Sequence, residues 1–330
     1  MIYIHSMGHF HPGNIISNKF LEDLDIGTTD EWIMERVGIA NRRTVLPLDY
    51  IRQTRNANKL DSFAVRQYTN AQMGANAARM AVRRAGIKLE DVGLLVAGTS
   101  TPDNLAPAEA SAIAAQLGIE VPCFDLNSAC STFGMQMNFL YRMQPEALPP
   151  YVLVVNPETM TKSIDYTDRN NAVLFGDGAA ATVVSSKIPG RVVVSNCSFD
   201  SRPSDWRKVG IDWDWKFHQD GNAIQGFAIR KTTEYLKRLQ NVAGADAGRL
   251  IFIGHQANLM MLEAVCSRGK IAGENHWYNV DQFGNQACCG APSVLSMHWD
   301  DMKPGDNIAV VIVGAGLTWA CMLLQIKEDK

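Results

Sequence analysis

The sequence is organised around the stretch Pro122-Cys-Phe-Asp-Leu-Asn-Ser-Ala-Cys-Ser-Thr-Phe-Gly-Met-Gln-Met137. Residues 121–126 have the pattern of a short strand, and apolar residues from Phe133 onward recur at helical spacing. Small residues between the two segments permit a sharp turn that places Cys130 near the start of the helix. Unpaired amide N–H groups and the helix dipole favour a thiolate there, which is the nucleophilic form of cysteine. The alternative is that Cys130 is a buried thiol of the core.

Composition and charge narrow the class of protein. At 330 residues and 46% hydrophobic, the chain can fill more than one ordinary domain, and its net charge of −3 argues against bulk nucleic-acid binding. The seven scattered cysteines suit free thiols in a reducing compartment better than a disulfide framework. The sequence shows neither a signal-peptide pattern nor an apolar run of about 18 residues, so we expect a cytoplasmic protein that does not enter a membrane.

Strand-like and helix-like segments alternate along the chain, which is typical of α/β sheets with helices packed on them. Residues 45–68 are polar, irregular and locally basic, and we predict a surface loop there with at most one helical turn. Each half of the chain, 1–185 and 186–330, contains a strand followed by a residue of chemical interest and then a helix. This spacing fits two structurally related halves. Helices are predicted at residues 71–85 and 232–242, and strands at 151–155, 249–253, 308–313 and 318–326.

Three further stretches carry chemically useful groups. His255 stands at the tip of a predicted strand, and Asn285 stands at the start of a small-residue helix. The turn at residues 314–316 can present backbone N–H groups to a ligand. Each also has a simpler interpretation, namely a structural histidine, a helix cap and a glycine hairpin. The order Cys, His, Asn also fits a papain-like protease, but the sequence around Cys130 lacks that family's Cys-Gly-Ser-Cys-Trp signature.

Six motifs in order resemble those of β-ketoacyl-acyl carrier protein synthase III, a condensing enzyme of the thiolase fold. The resemblance lies in Thr28-Thr-Asp-Glu-Trp-Ile-Met-Glu-Arg-Val-Gly-Ile39, residues 125–133, residues 165–169 with 175–179, His255-Gln-Ala-Asn258, Gly284-Asn285 and Gly314-Ala-Gly-Leu-Thr-Trp319. It implies an α/β thiolase-like fold, with two related βαβαβ-type halves in a layered α-β-α-β-α arrangement. It also implies a homodimer.

The resemblance implies a role for each residue of the Cys, His, Asn set. Cys130 would accept an acyl group from a thioester, and His255 and Asn285 would bind the thioester carbonyl of a malonyl unit on acyl carrier protein. Loss of CO₂ would then give a carbanion that attacks the acyl-enzyme. Backbone N–H groups of Cys130 and of Ala315 or Gly316 would form the oxyanion hole. The substrate would be a coenzyme A thioester, and no metal or other cofactor is expected.

The resemblance also implies two binding regions. Coenzyme A would contact Trp32, Arg36, Arg169 and Asn258, and the acyl chain would contact Leu105, Ala106, Met135 and Leu317. Ala106 and Leu317 replace aromatic residues of many relatives, so we expect room for a medium-chain primer such as a medium-chain acyl-CoA.

Other functions remain open from the sequence. A ketosynthase of specialised metabolism, joining acyl and β-ketoacyl thioesters, would use the same residues. From a different class, a cysteine thioesterase or hydrolase would admit water to the acyl-enzyme. A non-catalytic partner subunit is disfavoured because the set of Cys, His and Asn is intact.

Overall fold

A computed structural model describes residues 1–244 and 248–328 of the chain, as a mixed α/β structure. The strands are β1 (Ile2–Phe10), β2 (Asn14–Ser17), β3 (Asn41–Thr44), β4 (Val92–Ala97), β5 (Cys123–Asp125), β6 (Tyr151–Thr159), β7 (Asp177–Ser185), β8 (Val192–Ser201), β9 (Val209–Ile211), β10 (Phe217–Gln219), β11 (Leu250–Gly254), β12 (Asn307–Gly314) and β13 (Thr318–Ile326). The helices are α1 (Asn18–Asp23), α2 (Asp30–Val37), α3 (Leu48–Thr54), α4 (Ser62–Val65), α5 (Asn70–Arg84), α6 (Glu109–Leu117), α7 (Thr132–Arg142), α8 (Arg169–Ala172), α9 (Gly221–Ala243), α10 (Leu259–Gly269), α11 (Val280–Phe283) and α12 (Gly290–Met297).

Nine strands form one sheet in the order β11-β12-β13-β8-β1-β7-β6-β4-β5. The sheet has two blocks of strands, which meet where Ile2–Ile4 of β1 pair antiparallel with Val192–Val194 of β8. In each block one strand, β7 or β13, runs antiparallel to both of its neighbours, and the pair beyond it is parallel. The two blocks therefore share a topology. The division of the chain after residue 185 stays a prediction.

The helices complete five layers. Helix α7 contacts β6 of one block and β8 and β13 of the other, whereas α12 contacts β1, β7 and β11. These two helices therefore lie between the blocks, while α5 and α6 cover one outer face and α9 and α10 the other. The predicted α-β-α-β-α layering is confirmed. Its central layer is apolar: Phe133, Met137 and Leu140 of α7 are buried in one core cluster with Val294 and Leu295 of α12. Each such side chain contributes about 1.5–3 kcal/mol on burial.

The prediction of a surface loop at residues 45–68 is wrong. This segment contains α3, α4 and a 3₁₀ turn at Lys59–Asp61, and the side chain of Asn56 is buried within it. The Nδ2 atom of Asn56 donates to the backbone carbonyls of Lys162 and Ile164, each at 2.9 Å. The polar composition misled the prediction because several of these polar side chains bind buried backbone groups instead of water.

Replacing Asn56 with Ala removes these donors and leaves buried carbonyl groups without them. We therefore expect Asn56→Ala to lower the free energy of unfolding by about 1–3 kcal/mol. Asn58→Ala is the matched control, because Asn58 caps the neighbouring exposed turn by accepting from Leu60 N. Urea denaturation of both variants would measure the difference. Equal effects of the two substitutions would contradict the anchoring role of Asn56.

Candidate active site

A cavity of about 850 Å³ lies between the two blocks of strands and is lined by residues of both. Cys130, His255 and Asn285 all line it, so the fold brings the three predicted groups to one space. Cys130 comes from the turn before α7, His255 from the end of β11, and Asn285 from the segment after α11. The three residues are far apart in sequence, and only the packing of the two blocks assembles them.

The turn at Cys130 is fixed by local hydrogen bonds. The side-chain oxygen of Asn127 accepts from Ala129 N at 2.9 Å and from the Thr132 hydroxyl at 3.0 Å. Ala129 has φ of 49°, a left-handed conformation that non-glycine residues adopt at a cost. This conformation makes the turn sharp enough to present Cys130 to the cavity before α7 begins.

Gly314 lets the turn that follows β12 approach the nucleophile. A Cβ atom at this position would lie 2.8 Å from Ser131 N and 3.1 Å from Cys130 N, distances that real Cβ atoms do not tolerate without a shift of the neighbouring backbone. The absence of a side chain therefore permits contact between the backbones of the two turns. As a result Ala315 also lines the cavity, and its N–H reaches the sulfur of Cys130, as does the N–H of Cys130 itself.

The expectation of a thiolate at rest is wrong. Burial and, second to it, the nearby charge of Glu158 raise the pKa of the Cys130 thiol to about 12. The N–H groups of Cys130 and Ala315 act in the opposite direction but do not compensate. Cys130 also precedes the first residue of α7, Thr132, by two positions. Desolvation thus outweighs the helix terminus, and Cys130 is a neutral thiol until a substrate arrives.

His255 and Asn285 present neutral hydrogen-bonding groups to the cavity. Burial lowers the pKa of His255 to about 4, so the imidazole is uncharged at neutral pH. Its Nδ1 atom has no hydrogen-bond partner within the part of the chain that the structure describes. The side-chain oxygen of Asn285 accepts from Ala287 N at 2.9 Å, which leaves the amide N–H groups to donate. An imidazole and an amide of this kind can stabilise negative charge that develops on a bound oxygen.

The predicted coenzyme A residues gather at one side of the cavity. Trp32, Arg36 and Asn258 line it, and Arg169 lies beside it. The guanidinium carbons of Arg36 and Arg169 lie 4.9 and 4.8 Å from the centre of the Trp32 ring. Asn258 also caps α10, because its side-chain oxygen accepts from Met261 N at 2.7 Å. The arrangement offers cations and an aromatic ring together, which suits a nucleotide or another anionic group.

The predicted acyl-binding residues are only partly assembled. Leu317 lines the cavity, but Leu105, Ala106 and Met135 do not line it in the described part of the chain. Leu105 is 78% exposed and borders a separate shallow cleft together with Ala106. The loop after β4 carries both residues out to this cleft, away from Cys130. Gly316, the second candidate for the oxyanion hole, also lies outside the lining, unlike its neighbour Ala315.

Other lining residues were missed from the sequence. Ile224, Phe227 and Ala228 come from the first turns of α9, which begins at Gly221 and not at residue 232 as predicted. Their helical spacing would have identified this face had the helix been extended toward its N-terminus. The hairpin of β9 and β10 supplies Val209, Ile211 and Phe217, within a segment whose exposed Trp and charged residues hid its apolar alternation.

The described residues contain neither a membrane-spanning helix nor a metal-binding cluster. No helix there combines the length and the apolar character that crossing a bilayer requires. The same residues contain no group of three or more His, Cys, Asp and Glu side chains placed to bind a metal ion. The expectation that no cofactor is needed stays a prediction.

Comparison with known proteins identifies the family. The family model described as 3-oxoacyl-[acyl-carrier-protein (ACP)] synthase III matches residues 124–201, and the model of its C-terminal part matches residues 245–326. A curated β-ketoacyl-[acyl-carrier-protein] synthase III of Sulfurovum sp. (strain NBC37-1) is 32% identical, over 98% of this chain and 95% of that protein.

Solved structures agree with the sequence comparison. The 3-oxoacyl-[acyl-carrier-protein] synthase III of Aquifex aeolicus VF5 superposes with a TM-score of 0.86 at 28% identity, covering 98% of this chain and 100% of that chain. The priming β-ketosynthase of the R1128 polyketide biosynthetic pathway gives 0.85 at 26% identity, covering 100% and 97%. The fold is therefore that of the thiolase-like condensing enzymes, which are acyltransferases. Within that class, the chain belongs to the β-ketoacyl-[acyl-carrier-protein] synthase III family.

The neutral state of Cys130 can be tested by alkylation. Because burial raises the thiol pKa to about 12, we expect the rate of modification by iodoacetamide to keep rising with pH through the alkaline range. Peptide mass mapping would locate the adduct, and Cys130→Ala would identify the signal of this residue. A rate that reaches its plateau below neutral pH would contradict the neutral thiol and restore the thiolate.

Proposed function

We propose that the chain catalyses a decarboxylative Claisen condensation, in which an acyl group held on Cys130 is joined to the malonyl unit of malonyl-acyl carrier protein in fatty acid biosynthesis. The observation that carries the proposal is the position of Cys130, His255 and Asn285 around one cavity, in a member of the synthase III family. Relatives named β-ketoacyl-[acyl-carrier-protein] synthase III cover almost the whole chain, which supports the same reaction here.

The first half-reaction acylates Cys130. The sulfur attacks the carbonyl carbon of the acyl thioester, and the N–H groups of Cys130 and Ala315 stabilise the oxyanion. The tetrahedral intermediate then expels the thiolate of coenzyme A, which takes up the proton lost by Cys130. A neutral thiol at rest is compatible with this sequence, because the proton passes from one sulfur to the other and no ion remains buried.

The second half-reaction forms the carbon–carbon bond. The malonyl thioester loses its carboxylate as CO₂, and the electron pair of the broken bond forms an enolate. Hydrogen bonds from His255 and Asn285 stabilise the thioester oxygen as it becomes negative. The α-carbon then attacks the acyl carbonyl on Cys130, and the Cys130 sulfur leaves as a thiolate that takes up a proton from water. The neutral imidazole suits this role, since it donates a hydrogen bond without neutralising the enolate.

Two features support the proposed binding partners, namely the cationic residues at one side of the cavity and the free edge of the sheet. Arg36 and Arg169, both close to the Trp32 ring, favour an anionic ligand such as acyl-CoA or the phosphopantetheine of an acyl carrier protein. β5 is an edge strand, and its Phe124 is 37% exposed, which supports a homodimer formed through this edge. Nucleic acid and membranes are not expected partners, and a cytoplasmic location remains our expectation.

The specialised-metabolism alternative has one observation in its favour. The priming β-ketosynthase of a polyketide pathway shares this fold over nearly the full length of both chains.

The cavity of about 850 Å³ has room for an acyl group longer than acetyl. We therefore propose a medium-chain primer, with a β-ketoacyl primer as the alternative that the substrate panel below separates.

Single substitutions should divide the two half-reactions. Cys130→Ala should abolish the acyl adduct seen by intact mass spectrometry after incubation with acyl-CoA. His255→Ala and Asn285→Ala should still form the adduct, but release of CO₂ from malonyl-acyl carrier protein should fall about 10²–10³-fold, the usual cost of one oxyanion donor. Radiolabelled CO₂ release would measure this. An adduct that persists in Cys130→Ala would rule out Cys130 as the acyl acceptor.

A ladder of acyl-CoA thioesters would identify the primer. We expect medium-chain acyl groups to acylate Cys130 faster than acetyl, because the cavity of about 850 Å³ includes apolar side chains such as Leu317 and Phe227 in its lining. Mass spectrometry would report the chain length bound. Preference for β-ketoacyl thioesters would favour the specialised-metabolism reaction, and release of free acid without malonyl thioester would indicate a hydrolase.

A further inference from the structure

Glu158 is a buried carboxylate behind the active-site cavity that the mechanism above does not use. It lies near the end of β6 and its side chain is fully buried. Within the described residues it is held by hydrogen bonds and not by a lysine or arginine. Burying such a group is costly unless its oxygen atoms are all satisfied. A carboxylate buried at this position therefore indicates a role beyond packing.

The carboxylate joins two loops. Its Oε1 atom accepts from the hydroxyls of Thr99 and Thr101, at 2.9 and 2.6 Å, and from Ser100 N at 2.9 Å. Its Oε2 atom accepts from the thiol of Cys288 at 3.1 Å. The first three donors belong to the loop after β4, from which Ser100 lines the cavity. The fourth belongs to the 3₁₀ turn at Ala287–Cys289 that follows Asn285.

The hydrogen bond between Cys288 and Glu158 affects Asn285 through one intervening residue, Ala287. Ala287 N donates to the side-chain oxygen of Asn285, and this contact turns the amide N–H groups toward a ligand. Ala287 has φ of 44°, a strained conformation that must be held by its surroundings. Cys288, the next residue, is tied to Glu158. The carboxylate thus holds the turn whose backbone orients the catalytic amide.

Glu158 also acts on Cys130 through its charge. The groups that face the Cys130 thiol are Glu158 from β6, Cys288 from the 3₁₀ turn and the uncharged His255 from the end of β11. Of these, Glu158 in its ionised form carries the negative charge that, after desolvation, opposes ionisation of Cys130. Burial raises the pKa of Glu158 itself, and its hydrogen-bond donors act in the opposite direction. A single buried side chain therefore holds the turn that supports Asn285 and adds to the raised pKa of Cys130.

We propose that Glu158, through its hydrogen bond with Cys288, is a positioning residue that orients the Asn285 amide and, through its charge, lowers the reactivity of the Cys130 sulfur toward alkylating agents. The part that concerns Asn285 rests on the proposed function. The part that concerns Cys130 does not, because it can be measured without an acyl substrate.

The first experiment measures alkylation of Cys130 by iodoacetamide in Glu158→Gln. Loss of the charge should raise the rate at neutral pH about three- to tenfold, as located by peptide mass mapping. Glu109→Gln is the matched control, since Glu109 is also a buried glutamate but accepts from Asp103 N and is not among the groups that act on Cys130. The control should react at the wild-type rate. An unchanged or slower rate in Glu158→Gln overturns the proposal.

The second experiment compares Cys288→Ala with Cys288→Ser, so that the proposal remains testable even if Glu158→Gln does not fold. The Ala variant should acylate Cys130 at the wild-type rate but release CO₂ from malonyl-acyl carrier protein about tenfold more slowly. The Ser variant keeps a donor to Glu158 and should restore the rate. Equal slowing of both steps in the Ala variant, or no slowing at all, overturns the proposal.

If wild-type protein itself releases no CO₂ from malonyl-acyl carrier protein, the proposed function fails, whereas the alkylation result still decides the role of Glu158 toward Cys130. The two failures are therefore distinguishable.

Discussion

The approach of the backbone at Gly314 to the amides of Cys130 and Ser131 is the contact on which the active site depends. It joins the turn between β12 and β13 to the start of α7, and hence one block of strands to the other. The hydroxyls of Thr318 and Ser131, 2.8 Å apart, hold the same junction from the side. Without this contact the N–H of Ala315 would not reach the sulfur of Cys130, and the site would have one oxyanion donor in place of two.

Desolvation is the second constraint, and it sets the charge of Cys130 and His255. A thiol whose pKa is raised to about 12 and an imidazole whose pKa is lowered to about 4 are both neutral at physiological pH. Neither side chain therefore brings a resting charge to the reaction centre. In the proposed reaction negative charge develops on the acyl oxygen and on the malonyl thioester oxygen, and the N–H groups of Cys130, Ala315, His255 and Asn285 would stabilise it. Preorganised donors in a low-dielectric site are more effective than the same donors in water.

Much of this site could be predicted because each functional residue follows a local signal. Cys130, His255 and Asn285 stand beside strand ends or helix starts, where small and polar residues interrupt apolar runs. The charge on Cys130 could not be predicted in this way, since burial is decided by the packing of β6 and of the 3₁₀ turn against it. The prediction that Leu105 and Ala106 line the acyl pocket is wrong for a similar reason. A motif gives their position along the chain, whereas the path of the loop that carries them depends on its tertiary contacts. Polar composition predicts a loop at residues 45–68, because the sequence does not distinguish a polar side chain that binds buried carbonyl groups from one that binds water.

These features converge on the end of β6 and the residues that follow it. Glu158 binds the loop after β4 and the turn after Asn285, and the backbone of Thr161 donates to the buried Asp177 at 2.9 Å. Lys162 pairs with Asp103 at 2.9 Å, and its carbonyl accepts from Asn56. Residues 158–164 thus connect the nucleophile side of the cavity, the amide that faces it and the segment at 45–68. Because these bonds are buried and polar, they have directional requirements that apolar packing does not impose, and a displacement at any one of them would be transmitted to the others. A rigid polar junction of this kind can keep the amide of Asn285 in register with Cys130.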